Sequence, residues 1–149
     1  RDAQESRGLG DVYKRQVLAA IGTIGGGIAA LFGGWTSAMT TLIIFMVIDY
    51  ATGIIVAGVF HRSGKSKSGA LESRAGFKGL CRKGMILLIL LVACRLDLML
   101  GTGYIKDCVC IAFVVNETLS IIENAGLMGV PIPQVLIKAI DVLKAKEEK

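Results

Sequence analysis

Residues 17–48 read VLAAIGTIGGGIAALFGGWTSAMTTLIIFMVI, 32 positions without a Lys, Arg, Asp or Glu. One membrane-crossing helix needs about 20 apolar residues, so this stretch holds one span and enters a second. Gly33, Gly34, Trp35 and Thr36 carry the turn signal between them. The reading is span one over 17–34 and span two over 36–60. Asp49 interrupts span two at a cost of about 2.5 to 3.5 kcal/mol, but Leu, Ile, Val and Phe each return about 0.3 to 0.6 kcal/mol. Span two holds eleven of these residues, so insertion still wins. The whole chain agrees. Its 149 residues are 53% hydrophobic and 19% charged, with a mean hydropathy of +0.62. A soluble domain carries roughly a quarter charged residues, and a disordered chain is more polar still.

Two further apolar runs come after it. Residues 85–104 open MILLILLVAC and contain Arg95 and Asp97; a segment from Cys108 to Asn124 contains Asn116, Glu117 and Glu123. The expected fold is all-α, an integral membrane bundle of about four transmembrane helices. The alternative is three spans with a partly embedded fourth segment. The domain reading is a transmembrane region over 17–124 and a C-terminal tail over 125–149. Residues 61–84 hold Arg62, Lys65, Lys67, Arg74, Lys78, Arg82 and Lys83 against Glu72 alone, so seven minus one gives +6. They read as a basic loop that the positive-inside rule places in the cytoplasm. Four spans then put both termini on the cytoplasmic side. This loop is either simply solvated or in contact with anionic headgroups.

The opening RDAQESRGLGDVYKRQ, residues 1–16, shares nothing with the rest of the chain and resembles a translated adapter or cloning scar, so it is set aside. Residues 14–34 also carry the outline of a cleaved signal peptide, although the apolar run continues past a usual h-region. In the tail, Gly126, Gly129, Pro131 and Pro133 break the fourth segment. A short amphipathic helix is expected from Pro133 to Lys146. Its apolar face is Val135, Leu136, Ala139, Ile140 and Leu143, with Lys138, Asp141 and Lys144 elsewhere around it. It lies on the inner leaflet or packs on a neighbour.

No metal or cofactor site is expected. Cys81, Cys94, Cys108 and Cys110 form no C-x-x-C pair, and His61 stands apart from them. The sequence contains no phosphate loop, nucleophile elbow or H-E-x-x-H, so an enzyme is not expected. Nucleic-acid binding is not expected either, because the basic cluster has only Phe60 and Phe77 beside it and no binding motif.

Candidate functional residues lie inside the membrane. Gly22, Gly26, Ala30 and Gly34 form a small-xxx-small ridge, which serves packing within the bundle or self-association. Asp49, Gly53 and Ala57 repeat the theme in span two. Asn116, Ser120 and Asn124 recur at steps of four, beside Glu117. Asp49, Arg95 and Glu117 fall near the same depth. Arg95 and Asp97 are two apart and do not face each other on a helix. Arg95 therefore pairs with Asp49 or Glu117, or snorkels to the outer interface. With Asp97 and Glu123, these are the candidate polar or pore-lining residues.

Three blocks carry a resemblance: IFMVIDYATGIIVAG (44–58), GFKGLCRKGMILLILLVACRLD (76–97) and VVNETLSIIENAGLMGVPIP (114–133). In order and spacing they resemble the toxin-secretion/phage-lysis holin family, with its D-Y-x-T-G step, its G-x-K-G-x-x-[RK]-K entry and its N-E-x-x-S-I-x-E-N-A-G…G-V-P-I-P signature. The resemblance covers about 37–145; Arg95 stands where that family has a histidine. It implies a non-enzymatic membrane protein that self-assembles and permeabilises the bilayer. Its functional partner is then a peptidoglycan hydrolase (endolysin) in phage lysis, or an exported toxin. Two other classes fit less well. A small multi-span transporter or exporter would need a substrate site beyond these same polar residues. A membrane scaffold would use the basic loop and tail helix to recruit a partner.

Overall fold

A computed structural model describes residues 2–147, with side chains described for 8–142 and 145. Among these residues every regular element is helical: α1 (Asp2–Leu31), α2 (Ser37–Gly58), α3 (Ser73–Leu100), α4 (Tyr104–Leu127) and α5 (Gln134–Glu147). The chain divides into two compact units, Arg1–Trp35 and Thr36–Lys149.

The first unit is α1 and its terminating turn. The helix runs unbroken across residues 16 and 17. It ends three residues earlier than the sequence reading, because Gly33 and Gly34 take φ of 71° and 105°. Side chains rarely adopt that left-handed region. The Gly33 and Gly34 amides cap the helix on the carbonyls of Ala30 and Ala29, and Phe32 meets Trp35 edge-on at 5.5 Å. Gly34 therefore terminates the small-residue ridge instead of extending it. Gly22, Gly26 and Ala30 remain in register on the helix, and a Cβ built at Gly22 or Gly26 meets nothing within 4 Å.

The second unit is a helical bundle. The Thr36 side chain accepts from the Met39 amide and starts α2, as Ser, Thr, Asp and Asn do at helix N-termini. In α2, Met39, Leu42, Met46 and Val56 are buried; Leu90, Ala93 and Cys94 of α3 and Cys110 and Val115 of α4 join the same core. The fourth helix is the hub, touching α2, α3 and α5. On α5 the buried residue is Ile140, while Val135, Leu136, Ile137 and Val142 are exposed. The tail helix thus packs on a neighbour through one edge; Leu143 and Lys144 lie outside the described side chains. Among the described residues, α2 is the one helix long and apolar enough to cross a membrane by length and composition, with a mean hydropathy of 2.0.

The basic region differs from its expected form. Only 59–72 is a connection, and α3 begins at Ser73. Arg74, Lys78, Arg82 and Lys83 are therefore helical, not loop residues as the reading of 61–84 has it. Steps of four, from Arg74 to Lys78 to Arg82, are a helical spacing. The apolar run from Met85 marks only the lipophilic part of a longer helix. The connection itself is ordered by Ser63 N–H to the Gly69 carbonyl, Ser66 Oγ to the Ala70 carbonyl and Ser68 Oγ to Glu72.

Candidate functional site

The site lies where α2, α3 and α4 meet. Lys83 Nζ donates to Asp49 Oδ2 at 2.8 Å and to Glu117 Oε2 at 2.5 Å. All three side chains are largely buried, at 13%, 7% and 3% exposure. Burying ions without partners costs several kcal/mol each, so one ammonium serves two carboxylates from two other helices. The three residues stand at one level: Asp49 is nine residues from the end of α2, Lys83 ten from the start of α3, and Glu117 ten from the end of α4. At 1.5 Å per residue, each is about 15 Å from the same end of the bundle.

A neutral network extends the triad. Asn124 Nδ2 donates to Asp49 Oδ1 at 3.1 Å, to the Asp49 carbonyl at 3.3 Å and to Thr52 Oγ1 at 2.9 Å. Thr52 Oγ1 itself donates back to the carbonyls of Ile48 and Asp49. Gly53 faces α4 here: a Cβ at that position would lie at ordinary contact distance, 3.9 Å, from Asn124 Nδ2. One residue along, Tyr50 lies against α3: a Cβ at Gly76 would meet its hydroxyl at 3.5 Å, and one at Gly79 its ring at 3.9 Å.

These contacts account for the first sequence block position by position and tie it to residues of the other two. In D-Y-A-T-G, Asp49 takes the ion pair, Tyr50 covers the glycines of G-F-K-G, Ala51 points outward, and Thr52 and Gly53 receive Asn124. The stripe on α4 is Glu117, Ser120 and Asn124, at i, i+3 and i+7. Asn116 and Glu123 are exposed. Repeated steps of four drift about 40° each around a helix, which carries Asn116 off the face that Asn124 occupies.

Arg95 stands elsewhere. It is exposed, and the cation that meets both Asp49 and Glu117 is Lys83. The sequence reading places Lys83 in a loop and so misses it. The available signal is Gly76, Gly79 and Lys83 at i, i+3 and i+7, one helix face that small residues open to a neighbour. Asp97 is buried for a different purpose. Its carboxylate accepts from Thr102 Oγ1 at 2.6 Å and from the amides of Ile105 and Lys106 at 3.1 and 2.8 Å. Gly103, at the N-cap of α4, has no side chain, and Asp97 supplies the anion from the preceding helix. Gly101, with φ of 67°, makes the turn that brings it there. Among the described residues no group of three metal-ligating side chains forms. Cys94 and Cys110 are buried, Cys81 and Cys108 exposed, and all four are free thiols.

Comparison with known proteins fits this arrangement. The chain is 35% identical over 137 residues to the 14.9 kDa protein of the nagH 3′ region of Clostridium perfringens, covering 91% of this chain and 96% of that one. It is 36% identical over 128 residues to a protein of Halalkalibacterium halodurans, covering 82% and 89%. It is 29% identical over 122 residues to the probable holin of Bacillus phage phi105, covering 81% and 84%. No solved structure matches. The model of the bacteriophage holin family matches residues 26–145, a span that contains the ion triad, the Asn124 network and all three sequence blocks. The chain belongs to the bacteriophage holin family.

Proposed function

We propose that this protein is a holin that self-assembles in the bacterial cytoplasmic membrane and permeabilises it, so that an endolysin reaches the cell wall or a toxin leaves the cell. The observation that carries this reading is a bundle that holds charged and polar groups within its apolar core while its outer surface is apolar. Asp49, Asp97, Glu117, Thr118 and Asn124 are buried, whereas Ile44, Val47, Leu88, Val92 and Met99 are exposed. Soluble monomers rarely expose apolar patches larger than a few hundred Å², while intramembrane polar groups face one another.

In this reading α1 to α4 cross the membrane, and the 59–72 connection with the start of α3 faces the cytoplasm, where Lys and Arg accumulate. Both termini then lie inside. Before triggering, Lys83 pairs with Asp49 and Glu117 within one protomer, and the protein diffuses as a sealed bundle. As copies accumulate, the Gly22–Gly26–Ala30 ridge of α1 allows close packing between copies. Once helices part, Asp49, Glu117, Ser120 and Asn124 turn towards a growing aqueous lesion, since water supplies the partners they lose. Lysis or secretion results from the passage of a separate protein, with no covalent chemistry by this chain.

The test is inducible expression in a bacterium carrying a potential-sensitive dye, with and without a co-expressed endolysin. The expected result is an abrupt depolarisation, followed by lysis only when the endolysin is present. Continued growth at full potential overturns the reading.

A further inference from the structure

The ion triad fixes a common level on α2 and α3, and from that level the two helices present different surfaces to their surroundings. Beyond Asp49 towards the basic end, α2 stays apolar outside: Ile54, Ile55 and Val59 are all exposed, Val59 at 69%. That surface continues ten residues past Asp49, about 15 Å along the axis. On α3 the exposed apolar surface, Met85, Leu88, Ile89, Val92 and onward, narrows past the triad to Leu80 and Phe77. Over the next two and a half turns its exposed positions include the three cations Arg74, Lys78 and Arg82. These lie four residues apart and wind about 40° per step, so they form a ladder that follows a shallow spiral over about 80° of the helix circumference, exposed at every rung. Phe77 and Leu80 are exposed beside it at 67% and 55%, an amphipathic pairing suited to the headgroup level.

A flat bilayer cannot satisfy both helices. If the hydrocarbon reaches Val59 on α2, it also surrounds Arg82 and Lys78 on α3. If it stops at Arg82, it leaves α2 bare for about 15 Å. Cations held at membrane depth are accommodated by thinning of the bilayer and by headgroups and water drawn inward. We propose that the Arg74–Lys78–Arg82 ladder binds the phosphates of anionic phospholipids from the cytoplasmic leaflet and draws them inward beside α3, so that each protomer thins that leaflet on one side. This rests on the membrane orientation of the holin reading. It adds a lipid partner and a local cause of weakening that precedes any lesion. Arginine suits the task because its planar fork pairs two oxygens of one phosphate. Above the ladder the exposed apolar surface of α3 runs on from Met85 to Leu100, about 22 Å along the axis.

The full chain with Trp35→Phe and Phe77→Trp, reconstituted in vesicles, reports directly on the ladder. Quenching of Trp at position 77 is compared between brominated phosphatidylglycerol and brominated phosphatidylcholine, each with and without excess inorganic phosphate. The expected result is stronger quenching by the anionic lipid, with a preference of about fivefold per cation in contact. Inorganic phosphate leaves it unchanged, and Arg74→Gln, Lys78→Gln and Arg82→Gln together abolish it. Equal quenching by both lipids, or displacement by inorganic phosphate, overturns the proposal. A second readout does not depend on the triple variant folding. Cys81 lies on the same side of α3 and is exposed. With Cys108→Ser, a membrane-impermeant thiol reagent should label Cys81 in vesicles through the water that accompanies the headgroups, and no labelling overturns the proposal. A protein that depolarises cells but shows no lipid preference refutes the ladder and leaves the holin reading intact; the converse result refutes only the latter.

Discussion

Lys83 and Asp49 are 34 residues apart in sequence and form a 2.8 Å ion pair between α3 and α2. The pair is not closed on itself, because the same ammonium holds Glu117 of α4. Substituting Lys83→Met leaves two carboxylates facing each other in a buried site. Breaking a buried pair in this way costs about 3 to 5 kcal/mol. The expected outcome is a large drop in thermal unfolding temperature in detergent, with much of it recovered in Lys83→Met/Glu117→Gln. A double variant no more stable than Lys83→Met alone would show that the triad is not the coupling.

Arg95 supplies the matched control. It is exposed and lies apart from the triad, so exchanging charges between Arg95 and Glu117 should not restore what Glu117→Arg loses. Lysis timing and melting temperature are read in the same strains. Rescue by Arg95→Glu would require a different helix arrangement from the one described.

Asn124 makes three side-chain hydrogen bonds to α2. Asn124→Leu should destabilise the bundle by about 1 to 3 kcal/mol, because Thr52 and the Asp49 carboxylate lose a buried donor. Gly53→Ala places its methyl at ordinary contact distance from Asn124, 3.9 Å, and should be close to neutral. Gly53→Leu should not be tolerated. Urea unfolding with native-gel mobility separates the two Gly53 variants.

Asp97 is a structural residue. Asp97→Ala removes the acceptor for the Ile105 and Lys106 amides and should cost about 0.5 to 2 kcal/mol, the usual worth of an N-cap. Faster amide exchange should appear first at the start of α4. Protomers that still assemble should keep an unaltered membrane conductance, which separates capping from pore lining.

Gly26→Leu tests α1. The site is open to at least 4 Å, so the leucine fits within a protomer. Insertion and expression should be unchanged while lysis is delayed or lost. Unchanged timing at equal expression would remove the ridge from the assembly model.

The helical class and the turn at Gly33–Thr36 are legible, and so is the burial of Asp49 and Glu117, because an acid within an apolar run has few explanations. Their cation is not. Lys83 sits among six other basic residues, and composition makes such a stretch look like solvated loop. What distinguishes Lys83 is phase on a helix whose start carries no apolar run. Arg95 draws the pairing instead because it interrupts a hydrophobic segment, and interruption alone does not say which way a side chain points. Asp97 misleads for the same reason: it too breaks an apolar run, but it lies one turn from a helix end, where a carboxylate serves the next helix's amides.

The turn closed by Asp97 also limits how the bundle moves. Residues 101–103 are all that join α3 to α4, and their ends are tied by the Asp97 bonds. At the opposite end, 59–72 joins α2 to α3 through 14 residues. Under the proposed function, helices that part would do so first at that end, where the basic residues are, with the capped α3–α4 turn as the pivot that yields last.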